Sequence, residues 1–201
     1  MKKIIKLSLV VMTMLPLTTF AQKLTLSGQG GYAGPQGTAF QDANGEAMAK
    51  FGLGFDFDLL YHLEQFENKL SVGLTYNTSI LFGVSTSDDI GIGLFGHTLY
   101  GAKGHYRFFD GKVSPYASLS LGLAQLSLPE IKSGDVVIAE AEHSSSFGIR
   151  PEVGLDLGGF LISVGYFVPM KYKFEGATEK ISAGSLQISI GGRFNLWDPN
   201  R

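Results

Sequence analysis

The sequence runs to 201 residues, with 16 basic and 18 acidic side chains, 27 glycines, 12% aromatic residues and no cysteine. Without cysteine there is no disulfide framework, no thiolate metal site and no cysteine for lipid attachment. A charged fraction of only 17%, beside so many aromatics, excludes a disordered tail, and the length suits one domain.

Residues 1 to 21 read as a secretory signal peptide. Lys2, Lys3 and Lys6 form a basic start, an apolar run follows to about Leu17, and Thr19-Phe20-Ala21 supplies a small-x-small cleavage site. The run is too short to span a bilayer as a helix. The mature domain is expected to cover residues 22 to 201. Without the three signal lysines, 13 basic residues face 18 acidic ones, a net charge of −5 that argues against nucleic acid as a partner. No later stretch holds 18 consecutive apolar residues, so no transmembrane helix is expected.

From Lys23 onward, eight segments of alternating character follow one another: roughly 23 to 33, 48 to 62, 69 to 83, 91 to 108, 113 to 128, 143 to 157, 160 to 171 and 184 to 197. Period two is the signature of a strand with one apolar face. The connections after odd segments (34 to 47, 84 to 90, 129 to 142, 172 to 183) are long and rich in Gly, Asp, Ser and Glu. Those after even segments (63 to 68, 109 to 112, Gly158-Gly159) are short. An antiparallel up-and-down sheet that crosses a boundary has such an asymmetry.

The sixth and seventh segments show the pattern in detail. Phe147, Ile149, Val153, Leu155 and Leu157 alternate with Gly148, Arg150, Glu152, Gly154 and Asp156; Gly158-Gly159 offers the positive φ of a hairpin turn, and Ile162, Val164, Tyr166 and Val168 resume the alternation. In segments two to eight the apolar parity carries no Asp, Glu, Lys or Arg. The opposite parity holds, besides Lys50, Lys69 and Lys171 near segment ends, Asp56, Asp58, Lys103, Arg107, Arg150, Glu152, Asp156 and Arg193.

Alternation is the same for a soluble barrel turned inside out. The size of the polar-parity residues separates the two. Ser71, Gly73, Ser118, Ser120, Gly122, Ala124, Ser163 and Gly165 are small, as the lumen of an eight-stranded barrel requires. Tyr32, Tyr61, Phe82, Tyr106, Phe108 and Phe194 lie near the ends of the apolar face, where an interfacial girdle belongs. The expected fold is all-β: an eight-stranded antiparallel up-and-down transmembrane β-barrel.

Segments 114 to 125 (SPYASLSLGLAQ), 148 to 159 (GIRPEVGLDLGG) and 185 to 196 (SLQISIGGRFNL) give the chain a resemblance to the small outer-membrane barrels of the OmpX and OmpA-membrane-domain type, a porin-family group, over Gln22 to Trp197. The resemblance implies residence in the outer membrane of a Gram-negative bacterium, contact with lipid and lipopolysaccharide, and delivery by the outer-membrane assembly machinery. That machinery's signal usually ends at an aromatic residue, whereas Phe194 and Trp197 are followed by Asp198-Pro199-Asn200-Arg201. No periplasmic domain is expected after residue 197.

With the N-terminus periplasmic, the eight inward charges lie on the even strands, four acidic and four basic. Buried charges are costly unless paired, so mutual pairing into a salt-bridge plug is expected, with Arg150 and Glu152 near its top, Arg107, Asp156 and Arg193 below, and only small residues from the odd strands. A proton or ion pathway is the alternative. His143-Ser144-Ser145 resembles the His-x-Ser of the lipid A deacylase, but no acid follows on the same face to orient the imidazole. No catalytic residue is therefore assigned. His97 and His105 read as lumen hydrogen-bonders, Asp88-Asp89 as a loop tip, and neither a metal nor a cofactor is expected. Lys171 and Lys173, at the outer end of the seventh segment, are either contacts for lipopolysaccharide phosphates or solvated rim lysines. Val136-Val137-Ile138-Ala139, beyond a Ser133-Gly134-Asp135 turn, suggests that strands five and six continue outward as a hairpin, which pairs with a protein partner or shields the mouth. Three function classes remain: a non-enzymatic barrel acting through loops or envelope integrity, a narrow channel for a small solute, and a lipid-modifying enzyme.

Overall fold

The computed structural model describes residues 24–42, 44–83, 90–133, 136–174 and 179–197; the signal segment, Asp88-Asp89 and residues 198–201 lie outside them. The strands are β1 (Leu24–Gln36), β2 (Ala49–His62), β3 (Leu70–Gly83), β4 (Ile90–Ile92), β5 (Leu94–Arg107), β6 (Val113–Leu128), β7 (Ile131–Ser133), β8 (Val136–Ala139), β9 (Glu142–Leu157), β10 (Phe160–Tyr172) and β11 (Ile181–Trp197). Eight of them close an antiparallel barrel in the order β1-β11-β10-β9-β6-β5-β3-β2. Each of the eight sequence segments supplies one wall strand, and β1 meets β11 to close the sheet. Closure leaves no sheet edge, which is how a strand protein satisfies its backbone in lipid.

The wall is inside out relative to a soluble protein. Leu74 and Phe194 are 67% and 65% exposed, whereas Lys103 and Arg150 are 2% and 0% exposed. An apolar outer surface of this extent belongs against lipid. Tyr32, Tyr106, Phe108 and Phe194 of the expected girdle point outward near the ends of the strands.

One end of the barrel is built from short turns. Gly158 and Gly159 adopt φ of 74° and 107°, which only glycine reaches without strain, and the Gly159 N–H donates to Asp156 Oδ1 at 2.8 Å. Lys69 Nζ joins two neighbouring turns through Glu67 Oε2 at 2.5 Å and Asp110 Oδ2 at 3.3 Å. Its hydrogen bonds to Glu67 and then Asp110 raise the Lys69 pKa above the ordinary lysine value. The strand ends that border the four long connections lie at the other end.

The loop end departs from the expected pattern in three places. The fourth segment is interrupted at Gly93: Ile90–Ile92 leaves the wall and pairs with β7, which pairs in turn with β8, in a separate three-stranded sheet. The β7–β8 hairpin is therefore not a continuation of the barrel wall, and one edge of it is taken by the chain's own β4. Residues 134–135 of its turn lie outside the described residues.

The other two departures are prolines. A bulge or a lost bond is expected at Pro151, mid-strand in a closed wall. Toward β6 the register passes through Leu119↔Pro151 without a shift, so no bulge forms there. Toward β10 the recorded pairing runs from Phe160↔Leu157 to Gly165↔Glu152 and stops one residue short of the proline. Above it, Ser144 Oγ donates to the Lys173 carbonyl at 2.7 Å and holds the two strands together by a side chain. The bulge lies instead between β10 and β11, where the register shifts between Phe167↔Ser185 and Met170↔Ala183. Val168 and Pro169 thus oppose Gly184 alone, and a Cβ on Gly184 would lie 2.9 Å from Pro169 Cγ. One extra residue reverses the parity, so Phe167 and Tyr172 are both buried and Lys171 and Lys173 are exposed.

Candidate functional site

The lumen is where the strands bring the sequence-selected residues together. Five of the eight charges meet in its middle. Lys103 Nζ lies 2.7 Å from Asp58 Oδ2, 3.4 Å from Glu152 Oε1 and 3.6 Å from Asp56 Oδ2. Arg150 Nη1 lies 2.6 Å from Glu152 Oε2 and 2.8 Å from Asp56 Oδ2, and its Nη2 donates to Gln187 Oε1 at 2.9 Å. All five are at most 3% exposed. The alternation of β2, β5 and β9 explains the convergence: Asp56 and Asp58, Lys103, and Arg150 and Glu152 are lumen-facing positions at neighbouring heights.

The remaining three charges form a separate triad nearer the short turns. Arg193 Nη2 and Arg107 Nε approach Asp156 Oδ2 at 2.7 and 3.3 Å, and Arg107 Nη2 also donates to the Gly111 carbonyl at 3.2 Å. The balance of four acids and four bases therefore holds only for the lumen as a whole. The central cluster has one carboxylate more than it has cations, and the triad has one cation more than it has carboxylates.

Neutral donors and acceptors that sequence reasoning left aside complete the cluster. Ser27 Oγ donates to Asp58 Oδ2 at 3.0 Å and Ser118 Oγ to Glu152 Oε1 at 3.3 Å. Asn77 Nδ2 donates to Gln187 Oε1 at 2.8 Å, and Gln187 Nε2 donates to Ser79 Oγ at 2.7 Å. Their signal was present as amides and hydroxyls on the lumen parity. Glycine provides the room: a Cβ on Gly165 would lie 2.7 Å from Arg150 Cζ. Gly165→Val is expected to push the guanidinium off Glu152 and to cost about 1–3 kcal/mol, read as a lower midpoint of urea unfolding in detergent micelles.

The expectation that odd strands offer only small residues is corrected. Gln29, Asn77, Leu81, Tyr116, Leu126, Leu161 and Phe167 all come from them and are all buried. Toward the loops the lumen changes character. Phe40, Leu81, Phe95, Leu99, Leu126, Phe167, Tyr172 and Phe174 pack into one buried apolar cluster. Phe40 enters on the short 3-10 turn Thr38–Phe40 and meets Phe95 edge-on at 5.5 Å between ring centroids. His97 is buried here, 3.8 Å from the Phe167 ring centroid, with Nε2 2.8 Å from Tyr172 Oη. Leu81, Phe95, Leu99 and Leu126 announced this layer as apolar residues on the lumen parity near the loop ends of their strands. Phe40 and Tyr172 had no such signal, because one sits in a loop and the other lies beyond the bulge.

The barrel is thus filled at two levels, charged below and apolar above. Beside the charged cluster a void of about 10 Å³ remains, bordered by His62, His105, Tyr116 and Arg193 among others; that is the space of one water molecule. His105 stacks on Tyr116 with centroids 4.6 Å apart. Among the described residues no three His, Cys, Asp or Glu side chains form a set able to hold a metal ion. His143 and Ser145 are exposed at the loop end, and Ser144 between them is buried on Lys173.

No protein-family model and no curated protein matches the sequence. Among solved structures, the attachment invasion locus protein Ail of Yersinia pestis superposes with a TM-score of 0.52 at 20% identity over 85% of this chain and 98% of that one. The same protein in complex with the heparin analogue sucrose octasulfate gives a TM-score of 0.55 at 20% identity, over 86% and 99% of the two chains. Neisserial surface protein A gives 0.52 at 17% identity, over 85% and 97%.

Proposed function

We propose that this chain, which has the fold of the small eight-stranded outer-membrane β-barrels, is a non-enzymatic integral protein of a Gram-negative outer membrane that acts through its external loops or through envelope integrity, its lumen closed by its own side chains. The observation that carries the reading is the filling of the lumen from the Asp156 triad through the Arg150 cluster to the Phe95 layer. A narrow solute channel needs a continuous path in place of these layers, and a lipid-modifying enzyme needs an acid that orients His143.

The loops are the natural acting face of such a barrel, since loops diverge while the wall is held by packing. The name of the Yersinia pestis neighbour, an attachment invasion locus protein, agrees with this reading. Lys171 and Lys173 are exposed beyond the bulge and in this reading would meet lipopolysaccharide phosphates, a contact that vesicles with and without lipopolysaccharide would reveal. Delivery through the outer-membrane assembly machinery, and a protein partner at the loops, complete the proposal. Liposome swelling tests it against transport: with arabinose as solute, vesicles carrying the protein should swell no faster than empty ones. A rate that rises with protein content would overturn the closed lumen. An altered lipid A mass profile in cells that carry the protein, relative to cells that lack it, would overturn the non-enzymatic reading.

A further inference from the structure

Above the apolar layer the barrel mouth holds a cavity of about 270 Å³. Its apolar lining includes Met48, Phe95, Leu128 and Ile181, and Glu140 and Glu142 stand on one wall. Both glutamates are exposed, and neither carboxylate has a hydrogen bond or ion pair with any described residue. Phe95 and its neighbours close the way down, so a molecule that enters stays at the mouth.

We propose that this cavity binds a small organic cation, a primary amine on an apolar body, whose ammonium group meets Glu140 and Glu142 while the body packs on Phe95 and Leu128. An apolar pocket with a few convergent polar groups is the ordinary form of a small-molecule site, and unpaired carboxylates beside it select positive charge. A hard metal ion is disfavoured, because calcium takes six to eight oxygen ligands and most of this wall is carbon. The inference goes beyond a role for the loops in general: it names a site and a ligand chemistry at their base.

Phenethylamine is the probe, read by saturation-transfer NMR and titration on the full chain refolded into nanodiscs, with empty nanodiscs subtracted. Saturable binding is expected, with 2-phenylethanol about tenfold weaker and phenylacetate weaker still. The double variant Glu140→Gln/Glu142→Gln should lose about tenfold in affinity for the amine and none for the alcohol. Leu128→Trp, which fills the floor, should abolish both. Equal binding of amine and alcohol by the wild-type protein, or no saturable binding of the amine, overturns the proposal. Either result leaves the closed lumen untouched, because swelling assays read that separately.

Discussion

Replacing Arg150 by methionine is expected to destabilise the barrel by about 3–5 kcal/mol, the largest effect of any single charge in the lumen. The side chain neutralises Asp56 and Glu152 at 2.8 and 2.6 Å, and it also holds Gln187. Methionine fills much of the same volume, so the loss measures charge and not a cavity. Lys103 would then face Asp56, Asp58 and Glu152 alone, with all four side chains at most 3% exposed. The double variant Arg150→Met/Glu152→Gln removes one charge of each sign and should recover about half of the loss. Urea unfolding and refolding in micelles provides the measurement. A loss below about 1 kcal/mol for Arg150→Met would mean that the cluster is solvated and that the pairing is incidental.

The second large effect concerns the apolar layer. Phe95→Ala and Phe167→Ala are each expected to cost about 3–5 kcal/mol, since both rings are buried and their removal leaves a cavity. Neither variant should let arabinose through in swelling assays, because the Arg150 cluster still closes the lumen below. If Phe95→Ala alone leaked, the charged level would not be a barrier in its own right.

Much of this architecture was legible because a barrel wall enforces period two on every strand. Phe147 to Leu157 and Ile162 to Tyr166 read outward and inward correctly, and the positive φ of Gly158 and Gly159 followed from the pair itself. The convergence of Asp56, Lys103, Arg150 and Glu152 also follows from parity plus strand direction. Parity fails where one residue is added, and the bulge at Val168-Pro169 is a feature of the pairing with Gly184 that no local pattern on β10 displays. The separation of the charges into a five-membered cluster and an Asp156 triad depends on register between strands far apart in sequence. Loop residues obey no period: Phe40 plugs the lumen, and Glu140 stands on the mouth cavity, because of where their loops fold back. Pro151 was a sound warning of a broken ladder, but its effect falls on the β10 side alone.

Closure of the lumen at two levels is the central claim, and ion conductance tests it most directly. The wild-type protein, inserted into planar lipid bilayers and held at both polarities, should leave the current at the baseline of the protein-free membrane. Steady, ohmic current steps from the wild-type barrel would contradict the account, because they would require a water-filled path through both the Arg150 cluster and the Phe95 layer.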